Sequence, residues 1–170
     1  MGTQVVGPCR ILGVDPGLNT TGYAVIEFDG GAARLCEAGV IRSRASGPLE
    51  RRLAELHDGI RDVIDGLAPD RMALEQLFSH YQRPRTAILM GHARGVLCLA
   101  AGQVGIPVTH YQPTRVKKVL TGNGRAPKHQ MQVAVQLQLG LNRLPEPADV
   151  ADAMAIAICG HHLGRDLSPL

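Results

Sequence analysis

Four carboxylates occupy positions where an α/β protein could use them for metal-ion chemistry. Asp15 and Glu75 each end a short apolar run that is typical of a buried strand. Asp149 and Asp152 lie three residues apart at the start of an apolar helical segment, so their side chains share one face. Because an unpaired buried charge is costly, each carboxylate needs solvent, a basic partner or a cation. Oxygen ligands of this kind suit hard divalent cations such as Mg²⁺ or Mn²⁺.

Carboxylate-bound cations would support phosphoryl chemistry. Mg²⁺ keeps several of its waters and shares the phosphates of its substrate. Two such ions about 4 Å apart can hold the attacking and leaving oxygens of an in-line displacement, with water as the nucleophile. The sequence contains no zinc-protease histidine pair and no P-loop. We therefore expect the four acids to be catalytic and to bind two metal ions.

Each acid also has an ordinary structural explanation. Asp15 begins an Asp-Pro-Gly turn, and Glu75 could be a surface strand end. The helix dipole favours Asp149 in a first turn. Asp152 is the least well explained, because the segment that follows it is apolar on all sides and indicates a buried helix.

The charge distribution indicates a polyanionic partner. Residues 76–145 contain nine basic residues and no Asp or Glu, so this segment carries +9 and the rest of the chain carries −6. Such an excess is expected for a nucleic-acid-binding surface, although arginines that solvate helices would also produce it. Phe78 and Tyr81 stand in a polar stretch after Glu75, where they could stack on an unpaired base or pack under a loop. The residues expected to contact DNA are Phe78, Tyr81, Arg83, Arg85, Arg115, Lys117, Lys118, Arg125 and Lys128.

Strands and helices must bring these residues together. Apolar patterns predict strands over residues 10–15, 22–28, 33–42, 71–75 and 106–111. Helices are predicted from Pro48 to the break at 68–70, and over 86–101, 113–121, 127–139 and 147–163. Three strands followed by alternating strands and helices predict an α/β fold, with a mixed five-stranded sheet and helices on both faces. We expect one domain over residues 1–170, with flexible tails at 1–9 and 164–170.

The cysteines and the N-terminus exclude several other classes of protein. The four cysteines are far apart, which argues against a zinc site or a disulfide framework and favours buried, reduced thiols. There is no signal-peptide pattern and no apolar run of the ~20 residues that span a bilayer. We expect a cytoplasmic protein.

Four segments, in order along the chain, resemble the RuvC family of bacterial crossover-junction endodeoxyribonucleases. They are ILGVDPGLNTTGYAV (11–25), ALEQLF (73–78), GHARGV (91–96) and ADVADAMAIA (148–157). The resemblance implies an RNase H-like fold and a homodimer that nicks opposed strands of a Holliday junction symmetrically, leaving 5′-phosphate and 3′-hydroxyl ends, in recombination and DNA repair. It also implies a branch-migration complex as partner.

The family's metal-binding acids correspond to Asp15, Glu75, Asp149 and Asp152. The resemblance further implies that Phe78 stacks on a base near the crossover, and that Lys117 and Lys128 lie near the scissile phosphate. Gly91 and Gly95 could permit close helix approach across a dimer interface, or tight packing within the monomer.

Three other functions remain open at this point. One is an RNase H-like nuclease that trims ribosomal RNA precursors. Another is an actin- or hexokinase-type ATPase, although such enzymes need two copies of this fold and 170 residues supply one. The third is a catalytically silent DNA-binding module, which the intact set of acids disfavours.

Overall fold

The computed structural model describes residues 7–77 and 84–164, which form five strands and five helices. The strands are β1 (Cys9–Asp15), β2 (Thr20–Asp29), β3 (Ala32–Arg42), β4 (Arg71–Glu75) and β5 (Val108–Tyr111). The helices are α1 (Leu49–Leu67), α2 (Pro84–Gly102), α3 (Pro113–Thr121), α4 (Lys128–Leu139) and α5 (Ala148–Gly164). The predicted types and order of the elements are confirmed.

The sheet is mixed and has the strand order β3-β2-β1-β4-β5. Strands β1, β2 and β3 pair antiparallel, whereas β4 and β5 run parallel to β1. The carboxyl ends of β1, β4 and β5 therefore meet at one edge of the sheet, together with the start of β2 and the end of β3. We call this the carboxyl edge. It is the place where α/β proteins commonly build their sites.

Helices cover both faces of the sheet, because the strands alternate their side chains between two apolar layers. On β1, Ile11 faces the layer of α3, α4 and α5, whereas Leu12 and Val14 face the layer of α1 and α2. All three are at most 1% exposed, which explains why the strand is apolar throughout. The sequence pattern of a doubly covered sheet is thus confirmed.

Helix α5 lies very close to the sheet because the residues between them are small. A Cβ atom on Gly13 would lie 2.1 Å from the carbonyl oxygen of Ala153 and 2.6 Å from the backbone nitrogen of Ala157. Further along the helix, a Cβ atom on Gly160 would lie 2.9 Å from the Cβ of Ala73. The alanines and glycines of this layer therefore set the depth at which α5 packs.

Two expectations need correction. Strand β5 begins at Val108 rather than at Ile106, because the intervening Pro107 has no N–H to donate to a ladder. The cysteines are free as expected, but only Cys159 is buried, while Cys9, Cys36 and Cys98 are half-buried.

The two predicted tails lie mostly outside the described residues. Within residues 7–77 and 84–164, no helix is long and apolar enough to cross a membrane.

Candidate active site

The two strand-end acids lie on neighbouring strands and on the same face of the sheet. Val14 pairs with Leu74 in the parallel β1–β4 ladder, so Asp15 and Glu75 are neighbours at the carboxyl edge. Because alternate side chains of a strand share a face, Asp15 lies on the side of Gly13, and Glu75 lies on the side of Ala73. That side is covered by α5. The acids therefore lie on the face where α5 brings its own two carboxylates.

The start of α5 is held against the sheet by Gly22. This residue lies directly opposite Asp15 in the β1–β2 ladder. A Cβ atom on Gly22 would lie 2.1 Å from the carbonyl oxygen of Asp149 and 2.6 Å from its carbonyl carbon. The absence of a side chain at position 22 thus lets the backbone of Asp149 lie beside Asp15, and Asp152 follows one turn later on the same helix.

Burial and mutual repulsion make the acids of this site difficult to ionise together. The pKa of Asp15 is raised to about 8, first by burial and then by the negative charges of Glu75, Asp152 and Asp149. The pKa of Glu75 is raised to about 7, by burial and by Asp152. Burial also raises the pKa of Asp152. A cation bound beside these acids would reduce their repulsion and favour the ionised carboxylates.

Two lysines provide part of the compensating charge. Lys128 lowers the pKa values of Asp15 and Asp152, and Lys117 lowers those of Glu75 and Asp152, in each case against the larger effect of burial. Both lysines line a cavity of about 190 Å³ together with Glu75 and Asp152. The cavity therefore places positive charge and open space beside two of the four acids.

The donor set fits hard divalent cations, but it does not form a closed cage. Within residues 7–77 and 84–164, no three His, Cys, Asp or Glu side chains are placed to hold one metal ion. Mg²⁺ is commonly bound by one or two carboxylates, with waters and substrate phosphates completing its coordination. The burial and the repulsion between neighbouring carboxylates, which raise the pKa values of Asp15 and Glu75, are the observation that supports this fit.

Arg94, on α2, contacts the backbone of Glu75, a role that was not predicted from the sequence. Its Nε donates a hydrogen bond of 3.1 Å to the backbone carbonyl of Glu75, and its Nη2 contacts Nδ1 of His110 on β5. Burial and the Arg94 charge lower the pKa of His110. Arg94 belongs to the GHARGV segment, which resembles the RuvC family, so this motif could have drawn attention to the residue. Nothing in the sequence pattern predicts its contact with Glu75.

The other residues expected to contact DNA are distributed unevenly. Lys118, Arg115, Arg125 and Arg85 are exposed and lie outside the lining of the lysine cavity. The positive charge of Arg115 instead lowers the pKa of Cys159, against the larger effect of burial. Cys159 lies two turns along α5 from Asp152. The remaining three, Phe78, Tyr81 and Arg83, lie outside the described residues.

One face of α2 is open among the described residues. A Cβ atom on Gly91 or Gly95 would meet no atom within 4 Å, so neither glycine is explained by close packing with the described part of the monomer. Ile88 and Leu99, which lie on the same side of the helix, are 62% and 54% exposed. Helix α2 thus presents an apolar stripe with a shallow centre.

The chain is similar to known proteins along most of its length. The family model described as "Crossover junction endodeoxyribonuclease RuvC" matches residues 11–161. A crossover junction endodeoxyribonuclease RuvC from Rhodopirellula baltica is 65% identical over 171 residues, which cover 98% of this chain and 96% of the relative. The chain belongs to the RuvC family.

Solved RuvC structures show the same RNase H-like fold. The structure of Thermus thermophilus RuvC has a TM-score of 0.83 at 32% identity, covering 92% of this chain and 96% of that one. The structure of T. thermophilus RuvC in complex with Holliday junction substrate has a TM-score of 0.87 at 31% identity, covering 93% and 96%.

Membership of the RuvC family identifies the chain as an endodeoxyribonuclease and implies dependence on a divalent metal ion. It also decides against the ribosomal RNA-processing, ATPase and catalytically silent alternatives.

Proposed function

We propose that this chain resolves four-way DNA junctions by paired symmetric nicks, using two Mg²⁺ or Mn²⁺ ions held by Asp15, Glu75, Asp149 and Asp152. The observation that carries the proposal is the convergence of four acids at the carboxyl edge beside a lysine-lined cavity. Family membership supports the substrate, since a relative has been solved with Holliday junction DNA.

In this proposal the site contributes to hydrolysis both by stabilising charge and by fixing the positions of the reacting groups. When bound, the cations would stabilise charge on the attacking and leaving oxygens of the phosphodiester. The four carboxylates would hold the cations at fixed positions, because the carboxylates themselves come from rigid strands and from a helix packed directly on the sheet. Lys117 and Lys128 bind the scissile phosphate from the cavity side. Cleavage leaves a 5′-phosphate and a 3′-hydroxyl end, suited to ligation in recombination and DNA repair.

A labelled four-way junction provides the direct test. The chain is incubated with Mg²⁺, with Mn²⁺ or with EDTA, and the cut positions are mapped on all four strands. We expect two symmetric nicks with either metal and none in EDTA. Duplex DNA and structured RNA serve as competitors, and preferential inhibition by the RNA would contradict the proposal.

The matched variant is Asp15→Asn, which removes one charge and keeps the shape of the side chain. We expect it to abolish nicking while binding of the junction in EDTA stays within a few-fold of the parent. Undiminished nicking would remove Asp15 from the catalytic set. Loss of binding and nicking together would show that the variant had lost its fold or its DNA surface instead.

Symmetric nicking requires two active sites, so we also propose that the chain acts as a homodimer. The apolar stripe of α2 supports this interface, because Gly91 and Gly95 would let a second helix approach closely between Ile88 and Leu99. We expect Gly95→Glu to convert a dimer into a monomer in sedimentation experiments. A monomeric parent, or a dimeric variant, would contradict this interface.

The cellular setting follows from the same activity. We propose that the chain acts on chromosomal DNA in the cytoplasm, with a branch-migration complex as partner. Family resemblance alone supports both statements. Co-sedimentation of the chain, a junction and a purified branch-migration motor would test the second.

A further inference from the structure

Four arginines come from segments that meet near the carboxyl edge, at the end of the sheet formed by β3. Arg42 ends β3, Arg44 lies in the loop that follows, and Arg51 and Arg52 lie in the first turn of α1. We call these four residues the arginine cluster. They come from the part of the chain whose summed charge is −6, so the distribution of net charge along the sequence does not indicate a basic surface there.

Strand register places the arginine cluster at the carboxyl edge. Asp15 pairs with Gly22, and Thr20 on the same strand pairs with Arg42. With about 4.8 Å between strands and about 3.4 Å per residue, the Cα atoms of Arg42 and Asp15 are roughly 12 Å apart. Glu75 lies on the opposite side of Asp15, because β4 and β2 flank β1. Glu75, and the cavity that it lines with Lys117 and Lys128, therefore lie on the other side of Asp15 from Arg42.

The guanidinium groups of the arginine cluster are not neutralised within the described part of the chain. Arg42, Arg44 and Arg51 are exposed, and among residues 7–77 and 84–164 none of them forms an ion pair or donates a side-chain hydrogen bond. Glu55 accepts the backbone N–H of Arg44 and forms no ion pair with an arginine of the described residues. Glu50 leaves residues 42–52 with a net charge of +3.

Three other arginines of the sheet and of α1 are paired with carboxylates, whereas Arg71 on β4 donates only to the carbonyl of Gly164 at 3.5 Å. Arg10 and Arg34 both contact Glu27 at 2.9 Å, towards the opposite edge of the sheet. Arg61, further along α1, contacts Asp65 at 3.0 Å. On these two elements, α1 and β3, the arginines near the carboxyl edge therefore differ from Arg34 and Arg61, whose charges are compensated by carboxylates.

Arg52 links the arginine cluster to the loop that follows Asp15. Its guanidinium donates to Oδ1 of Asn19 and, at 3.4 Å, to Oγ of Ser43. The Ser43 hydroxyl donates in turn to the carbonyl of Leu18, and its backbone N–H donates to the carbonyl of Asn19 at 3.1 Å. All of these acceptors are neutral, so within the described part of the chain no carboxylate compensates the charge of Arg52 while it holds the loop.

We propose that the arginine cluster binds the backbone phosphates of a junction arm, on the opposite side of Asp15 from the cavity lined by Lys117 and Lys128. The inference rests on the proposed function, since it adds a second DNA-binding surface to the same nuclease. Phosphate is the partner that fits, because exposed guanidinium groups without carboxylate partners match its charge and geometry. From β3 to β5 the edge spans roughly 19 Å, which corresponds to about six base-pair steps of 3.4 Å.

The test removes three charges without touching the loop anchor Arg52. The variant carries Arg42→Gln, Arg44→Gln and Arg51→Gln. Junction affinity is measured in EDTA by fluorescence anisotropy over a series of salt concentrations. Each lost phosphate contact should reduce the slope of log K against log salt by about 0.9, so the slope should fall by up to about 3. At about 0.1 M salt, affinity should drop between ten-fold and several hundred-fold.

Two further triple variants act as controls. Arg34→Gln, Arg61→Gln and Arg71→Gln together remove the same total charge from other surfaces, and we expect this variant to keep nearly the parent slope. Arg42→Lys, Arg44→Lys and Arg51→Lys together preserve the charge, and we expect this variant to retain most of the slope. Thermal melts report folding of all three.

The possible outcomes separate the inference from the proposed function. Equal slopes for the parent and the glutamine variant of the arginine cluster would overturn the inference while leaving junction cleavage intact. An equal loss in both glutamine variants would also overturn it, because net charge alone would then explain the effect. A parent that shows no preference for junctions over duplex DNA would refute the proposed function itself.

Discussion

Replacement of Gly22 by alanine tests whether close packing positions the proposed catalytic acids. Gly22 lies opposite Asp15 in the β1–β2 ladder and beneath the backbone of Asp149. No polar group or charge changes in Gly22→Ala, so any effect on cleavage must arise from displacement. We expect a large loss of nicking rate and a smaller loss of junction affinity.

The magnitude follows from the contact distances. The new methyl group would lie 2.1 Å from the carbonyl oxygen of Asp149. Ordinary contact begins near 3.4 Å, so the start of α5 and strand β2 must separate by roughly 1.3 Å. Overpacking of this kind costs about 1–3 kcal/mol of stability. A misplacement of about 1 Å at a reacting centre can cost about 100-fold in rate.

Single-turnover nicking of a labelled four-way junction measures the effect on rate. Saturating enzyme isolates the chemical step, and binding in EDTA is measured separately. Gly66→Ala on α1 is the matched control, because a Cβ atom there would meet nothing within 4 Å and alanine favours the helix. We expect a rate loss on the order of 100-fold for Gly22→Ala and none for Gly66→Ala.

A second glycine keeps the test independent of one position. Gly13→Ala would place its Cβ 2.1 Å from the carbonyl oxygen of Ala153, next to Asp152, so it should displace the second acid of α5. Parent-like nicking by Gly22→Ala, with an unchanged melting temperature, would refute the positioning argument. Equal losses of affinity and rate would point to general unfolding.

Three further predictions concern protonation, support and stacking. The pKa values of Asp15 (about 8) and Glu75 (about 7) lie above their ordinary values, so the folded state binds these protons more tightly than the unfolded state does. The metal-free protein should therefore lose up to a few kcal/mol of stability as pH rises from 5 to 8. Mg²⁺ should accordingly raise the melting temperature more at pH 8 than at pH 5, and a flat pH profile with equal metal shifts would contradict this. Arg94→Gln removes the hydrogen bond to the carbonyl of Glu75 and should lower the nicking rate about ten-fold, with a stability loss of about 1–2 kcal/mol in denaturant unfolding; an unchanged rate would show that the bond is dispensable. Phe78→Ala, predicted from sequence and family resemblance, should lose cleavage rate but little stability, and an equal loss in a thermal melt would assign Phe78 to the core.

The order and types of the elements were predictable because their signals are local. Apolar runs, proline helix starts and turn residues each act over a few neighbours, and the five strands and five helices follow from them. The observed element boundaries differ from the predicted ones by at most two residues, as at the starts of α2 and β5. At β5 the reason is Pro107, which has no N–H to donate. Half-burial of Cys9, Cys36 and Cys98 was not predicted, because exposure depends on which elements pack over a position.

The composition of the candidate site was also visible in the sequence, although its geometry was not. Asp15, Glu75, Asp149 and Asp152 stand out by residue type and by their places at the ends of apolar segments. The hydrogen bond from Arg94 to Glu75 joins residues 19 positions apart, and no periodic pattern encodes it. The same holds for Arg52 and Asn19, which are 33 positions apart.

By itself, the sequence determined which side chains are available, which elements carry them and which segment is free of acids. Only the tertiary structure decided that Gly22 lets Asp149 approach Asp15, and that Arg42 reaches the same edge of the sheet. The physical reason is that strand register and helix depth come from contacts between distant segments. Those contacts determine burial, and burial makes the largest contribution to the raised pKa values of the proposed metal-binding acids Asp15 and Glu75.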